Sequence, residues 1–178
     1  MTEQDLIKGC IKQDRKCQEE LFRRFAGKML VVCMRYARHQ MEAEDMLQDA
    51  FIKVFTHIER YEGKGSFEGW IRKIVVNTAL KHIDRKSFTQ EQIGVEQDYD
   101  AAVDPDVFSH LGERELLKMV ADLPEGYRVV FNLYAIEGYS HKEIAELLDI
   151  GESTSRSQLV KARKMLQDRV LNVQKIAV

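Results

Sequence analysis

Two prolines, three cysteines and one tryptophan are all that this chain of 178 residues contains of those types, and each scarcity excludes something. With so little proline and only ten glycines, the many Leu, Ile, Ala, Glu, Lys and Arg residues can form long helices, and collagen-like or Pro/Gly-rich disordered chains are ruled out. Cys10, Cys17 and Cys33 are odd in number and form no CxxC, so a disulfide framework is not indicated. They read as small apolar core residues suited to a reducing compartment. No apolar run approaches the roughly 20 residues of a membrane span. The first residues, Met1-Thr2-Glu3-Gln4-Asp5, lack the basic head and apolar stretch of a signal peptide, so the expected location is the cytoplasm.

Catalytic patterns are equally scarce. His39, His57, His82, His110 and His141 are scattered, with no HExxH and no Cys/His pair at metal-ligand spacing. Gly63-Lys64-Gly65-Ser66 resembles part of a phosphate loop, but the first glycine of that motif would fall at Ile58. Glu42, Glu44, Asp45 and Asp49 form an acidic cluster with two readings, a metal site or a solvated or protein-docking helix face. No nucleophile has an adjacent base. The expectation is a non-enzyme with no cofactor and no metal.

Net charge is also small, −2 over the whole chain, which by itself argues against a nucleic-acid binder. Segment counts reverse that. Residues 1–90 hold 17 Lys/Arg and 13 Asp/Glu, residues 91–115 hold one and eight, and residues 116–178 hold nine and eight. Two mildly basic blocks, at +4 and +1, therefore flank an acidic connector at −7. The connector loses the helical period around Gly94, Glu96-Gln97-Asp98-Tyr99-Asp100 and Asp104-Pro105-Asp106, and reads as an extended linker over 91–109.

What is abundant is helical periodicity. Leu47, Ala50, Phe51, Val54, Phe55 and Ile58 mark one face of an amphipathic helix. Phe67, Trp70, Ile71, Ile74 and Val75 begin another, predicted to run to about Arg85 with Ser66 as its N-cap. Leu21, Phe22, Phe25, Met29, Val32 and Tyr36 mark a long helix, preceded by a short one near residues 2–12. Four helices are predicted after the linker. The first ends at Leu123, and Pro124 lies in the first turn of the second, which stops near Gly138. Ser140 caps a third, Asp149-Ile150-Gly151 breaks it, and a long fourth starts at Glu152. No strand pattern is present. The fold class is all-α: domains at 1–90 and 110–178 joined by the acidic linker.

The stretch from Ser140 to Arg163 is a helix-turn-helix pattern, a short helix with small Ala145, a three-residue turn and a longer basic helix. Its second helix would present Ser153, Thr154, Ser155, Arg156 and Gln158 to base edges, since Arg pairs bidentately with guanine and Gln with adenine. Lys161, Arg163 and Lys164 would follow as phosphate contacts. An ordinary amphipathic hairpin is the alternative. In the first domain Lys73, Asn77 and Lys81 make an i,i+4 row with Arg72 near its other edge. Tyr61, Phe67 and Trp70 lie close by and could stack on unpaired bases. Phe67 and Trp70 are more often core residues.

Together and in this order, these segments resemble the bacterial extracytoplasmic-function (ECF) sigma factors. Residues Glu44-Asp45-Met46-Leu47-Gln48-Asp49-Ala50-Phe51-Ile52-Lys53-Val54-Phe55 are similar to the conserved region-two signature, continued by Phe67-Glu68-Gly69-Trp70-Ile71, Val76-Asn77-Thr78 and Asp84-Arg85. Leu123-Pro124-Glu125, Glu137-Gly138-Tyr139-Ser140, Glu143-Ile144-Ala145, Thr154-Ser155-Arg156-Ser157-Gln158-Leu159 and Lys161-Ala162-Arg163 resemble region four. The likeness spans about Leu6 to Leu166. The chain departs at Asp149, where the family often has Gly, at Ser155, where an apolar residue is usual, and at Gln158, where Arg or Lys is frequent.

The resemblance implies an initiation factor that binds core RNA polymerase, directs it to −10/−35 promoters and aids strand opening. It implies polymerase docking through Asp45, Gln48, Asp49 and Lys53. The −10 element would be met by Tyr61, Lys64, Ser66, Arg72, Lys73, Asn77 and Lys81, and the −35 element by Ser153, Thr154, Ser155, Arg156, Gln158 and Lys161. It places the acidic linker along the polymerase cleft, and an anti-sigma factor is the usual restraining partner. A conventional two-domain regulator would instead form dimers on palindromic sites, and a metal enzyme would bind metal stoichiometrically.

Overall fold

The computed structural model describes residues 1–83 and 112–176, and its contacts divide the chain after Ile83 into two compact units. The linker expected at 91–109 lies outside the described residues, as do Asp84, Arg85 and His110. Among the described residues all regular structure is helical. No helix among them is long and apolar enough to cross a membrane.

The first unit holds four helices, α1 (Glu3–Ile11), α2 (Arg15–Met34), α3 (Gln40–His57) and α4 (Phe67–His82), with a 3-10 turn at Ile58–Arg60. Each α-helix starts at a side chain that satisfies otherwise orphaned N–H groups. Thr2 and Asp5 form a reciprocal capping box on α1. Asp14 accepts from the Lys16 and Cys17 amides, and His39 Nδ1 from the Glu42 amide. Ser66 accepts from the Gly69 amide at 3.0 Å, the cap expected from the sequence. Helix α4 ends at His82, short of the predicted Arg85.

Leu21, Met29, Met46, Val54, Ile71 and Val75 fill the interior, fully buried. Burial of side chains of this size contributes about 1.5–3 kcal/mol each. Helix α1 rests so closely on α2 that a Cβ on Gly9 would lie 2.2 Å from Cys17 Sγ, which only glycine permits. All three cysteines are buried and unbridged. Burial raises the Cys10 thiol to about 11 and the Cys33 thiol to about 12, so both pack as neutral apolar groups.

The second unit holds α5 (Glu113–Ala121), α6 (Glu125–Phe131), a π turn (Asn132–Ile136), α7 (His141–Leu148) and α8 (Glu152–Ile176). Pro124 is the residue before α6, in extended backbone, one position earlier than predicted; its carbonyl still accepts the Arg128 amide at 2.9 Å. The π turn carries the chain to Gly138, whose φ of 79° closes the turn before α7. Ser140 and Glu143 cap α7 reciprocally. Asp149 ends it in the left-handed conformation, φ 56° and ψ 50°, which a short polar side chain tolerates better than most.

Val120, Leu123, Ala162 and Leu166 form the buried core between α5 and the long α8. Arg169 completes that contact by donating to the Met119 and Asp122 carbonyls at 2.9 and 3.0 Å, at the C-terminal end of α5.

Candidate nucleic-acid and polymerase interfaces

Helix α3 is two-faced. Ala43, Met46, Leu47, Ala50, Phe51 and Val54 are buried, while Asp45, Gln48 and Asp49 are exposed together on the outer side. Met41 and Ile52 flank them, 72% and 64% exposed. Lys53 is half-buried and donates from Nζ to Thr78 Oγ1 on α4 at 3.1 Å. Asp49 Oδ2 lies 2.9 Å from His82 Nε2, also on α4. Two of the four expected docking residues therefore also tie their helix to the next.

The acidic cluster does not converge. Glu42 accepts the Arg38 backbone N–H at 2.6 Å and its guanidinium at 3.2 Å, and Glu44 accepts from Gln40 at 2.9 Å. Among the described residues no three His, Cys, Asp or Glu side chains form a group that could hold a metal ion.

The loop before α4 is folded onto that helix by aromatic contacts. Phe67 is buried, and Trp70 stacks on it at 5.8 Å with 11° between planes. Tyr61 packs against both, at 5.0 Å and 5.7 Å, and its hydroxyl donates to the Gly65 carbonyl at 2.9 Å. Gly63 and Gly65 have φ of 72° and 79°, which this loop path requires. Lys64 projects outward beside Glu62. Ser66 is exposed, although its hydroxyl oxygen serves as the cap. Along α4, Lys73 and Lys81 are exposed and Arg72 and Asn77 half-buried. Of the seven expected −10 residues, Lys64, Ser66, Lys73 and Lys81 are exposed and Tyr61, Arg72 and Asn77 half-buried.

Helices α7 and α8, with the turn between them, make the helix-turn-helix. Ser153 and Arg156 are exposed near the start of α8, and Arg156 pairs with Glu152 at 2.8 Å. Thr154 is half-buried. Lys161 is half-buried, its Nζ 5.9 Å from the Tyr127 ring centroid. Ser155 and Gln158 contradict their expected role: Ser155 has no exposure and Gln158 only 3%, so neither side chain can reach a base edge. The periodicity carried that signal. Ser155, Leu159, Ala162, Leu166 and Val170 form one stripe, and Gln158 lies beside it.

Sequence reasoning missed the groups that hold this helix from inside. His141 Nδ1 and Ser155 Oγ share a hydrogen bond of 2.8 Å, the imidazole stacks on Tyr134, and Arg163 lies 5.7 Å from the Tyr134 ring centroid. His141 and Ser155 are 14 residues apart, so no local spacing announces their contact.

The Sigma-70 region 2 family model matches residues 21–89, and the Sigma-70 region 4 family model matches residues 113–166. The ECF RNA polymerase sigma-E factor of Haemophilus influenzae is 28% identical over 96% of this chain and 96% of its own length. The Escherichia coli K12 protein of the same description is 26% identical, over 96% and 95%. The ECF RNA polymerase sigma factor SigE of Mycolicibacterium smegmatis is 32% identical over 84% of this chain and 60% of its own. Among solved structures, the sigma factor RpoE of Bartonella quintana, in complex with the anti-sigma factor NepR, shares the fold at a TM-score of 0.51. It is 19% identical and the match covers 87% of this chain and 96% of that one. With both regions matched in order over more than half of its length, the chain belongs to the ECF sigma factors of RNA polymerase.

Proposed function

We propose that this promoter-specific transcription initiation factor divides its work between its two units, residues 1–90 serving the polymerase and the −10 element and residues 110–178 the −35 element, with 91–109 as an acidic strap. Asp45, Gln48 and Asp49 on the outer face of α3 dock on core RNA polymerase, with Lys53 at the edge of that face. The loop from Tyr61 to Ser66 and the α4 residues Arg72, Lys73, Asn77 and Lys81 take up the −10 strand once it opens. Unstacking costs a few kcal/mol per base step, which base capture and polymerase contacts offset. No covalent chemistry is asked of the chain.

The −35 element falls to Ser153, Thr154 and Arg156, with Lys161 and Lys164 on phosphates. An anti-sigma factor is the restraining partner, a reading supported by the Bartonella relative having been solved in complex with one, and the cytoplasm, where polymerase works, is the location. The observation that supports the reading is exposure: Asp45, Gln48 and Asp49 on α3, Lys64, Ser66, Lys73 and Lys81 on the loop and α4, and Ser153 and Arg156 at the start of α8 all face solvent.

The test is transcription from genomic DNA of the source organism by core polymerase with and without the purified chain, with RNA 5′ ends mapped. New start sites sharing an asymmetric two-part motif are expected. Start sites identical to those of core polymerase alone, or a palindromic site bound by a dimer, would overturn it.

A further inference from the structure

The two helices of the helix-turn-helix meet through a polar contact in a place where an apolar one is the simpler solution. Ser155, the fourth residue of α8, has no solvent exposure, so its hydroxyl needs a partner inside the protein. That partner is His141, the first residue of α7, at 2.8 Å. The imidazole is itself held, stacked on Tyr134 with 4.5 Å between centroids and 18° between planes. Tyr134 belongs to the π turn and lies 5.7 Å from the Arg163 guanidinium. Ser155 and Arg163 are about 12 Å apart along α8. The path from Ser155 through His141 and Tyr134 to Arg163 therefore leaves the recognition helix, crosses two other elements and returns to it two turns further on.

Two attachment points on one helix determine its rotation as well as its position. The buried apolar stripe of α8 sets its rotation coarsely, and a hydrogen bond, which weakens steeply when its angle changes, restrains it further. Resting on the reading of α8 as the −35 helix, we propose that His141 is a positioning residue for −35 recognition: through Ser155, and through Tyr134 and Arg163, it sets the rotation at which Ser153, Thr154 and Arg156 meet the major groove.

The experiment is selection by holoenzyme, reconstituted from the full chain and core RNA polymerase, on a duplex pool. The pool is randomised at the −35 position of a promoter mapped by transcription. Ser155→Ala removes only the hydroxyl, and His141→Phe keeps the stacked ring but removes its nitrogens. Each should lower enrichment of the preferred −35 motif about five- to tenfold. The double variant H141F/S155V, with an apolar pair in place of the polar one, should recover most of it. Arg156→Ala is the reference for the −35 reading itself. An unchanged motif in both single variants, with Arg156→Ala still relaxing it, overturns the positioning role and leaves the −35 reading standing. An unchanged motif in all three overturns both. A lower melting temperature with the motif intact marks a merely structural contact and also overturns the proposal. If His141→Phe does not fold, Ser155→Ala decides alone.

Discussion

Arg156 and Ser155 are neighbours in sequence with opposite fates. Arg156 is exposed and pairs with Glu152 one turn back on the surface, an interaction of the kind that contributes about 0.3–0.5 kcal/mol and is readily exchanged for a base. Arg156→Ala should weaken −35 binding by about 1–3 kcal/mol and relax selectivity at one base pair. Binding titrations across single-base −35 variants check this, and a profile unchanged at every position would remove Arg156 from the set. Ser155 has turned inward to His141, and that pairing has a pH signature. Burial first, then the charges of Arg156 and Arg163, hold the imidazole below its ordinary 6.5, with Glu152 pulling the other way. The unfolded chain regains the ordinary value and takes up the proton first. Stability from this source is therefore complete above about pH 6.5 and is lost as pH falls through the folded value. Denaturant melts of the second unit between about pH 7.5 and 5 should show the loss, and His141→Phe should abolish this part of it.

At the scale of the element, caps and stripes were legible because they are local. Ser66, Ser140 and Asp149 end or start helices where the sequence places them, since a cap needs only its own next turn. The apolar stripes of α3 and α4 are buried as their spacing requires. The boundary at Pro124 lies one residue from its expected place, and Ser155 and Gln158 are buried despite their polar chemistry because their register lies on or beside the apolar stripe. Contacts between elements were not legible. Nothing in the local sequence ties Gly9 to Cys17, Lys53 to Thr78 or Asp49 to His82. Gly9→Ala puts a methyl group against the Cys17 sulfur and should destabilise the first unit by about 1–3 kcal/mol. Cys17→Ala in the same chain should recover part of the loss. Trp70, the single tryptophan, lies in this unit, so its fluorescence in denaturant melts reports the change.

For the whole molecule, the net charge of −2 is the least informative number, because opposite segments cancel in it. Of the nine basic residues after position 115, six lie on α8, against two acids there. That concentration suits a short run of phosphate contacts and little more. The free chain should bind promoter duplex weakly, and holoenzyme far more tightly at the same salt, as fluorescence anisotropy would show. In holoenzyme, Lys164→Ala should weaken binding about equally across −35 sequences and lower the slope of log affinity against log salt by about 1. A sequence-dependent loss with the slope intact would place Lys164 against a base instead.

The sequence by itself determined the all-helical class, the order of two helical units around an acidic connector, most helix limits and the family, because these rest on periodicity, capping and motifs within a turn or two of chain. Only the tertiary structure decided which polar residues face outward. Ser155 and Gln158 face inward, and Lys53 and Asp49 brace α3 against α4, because burial depends on what another element brings to the same place. The clearest case is His141: its role exists only where α7, the π turn and α8 come together.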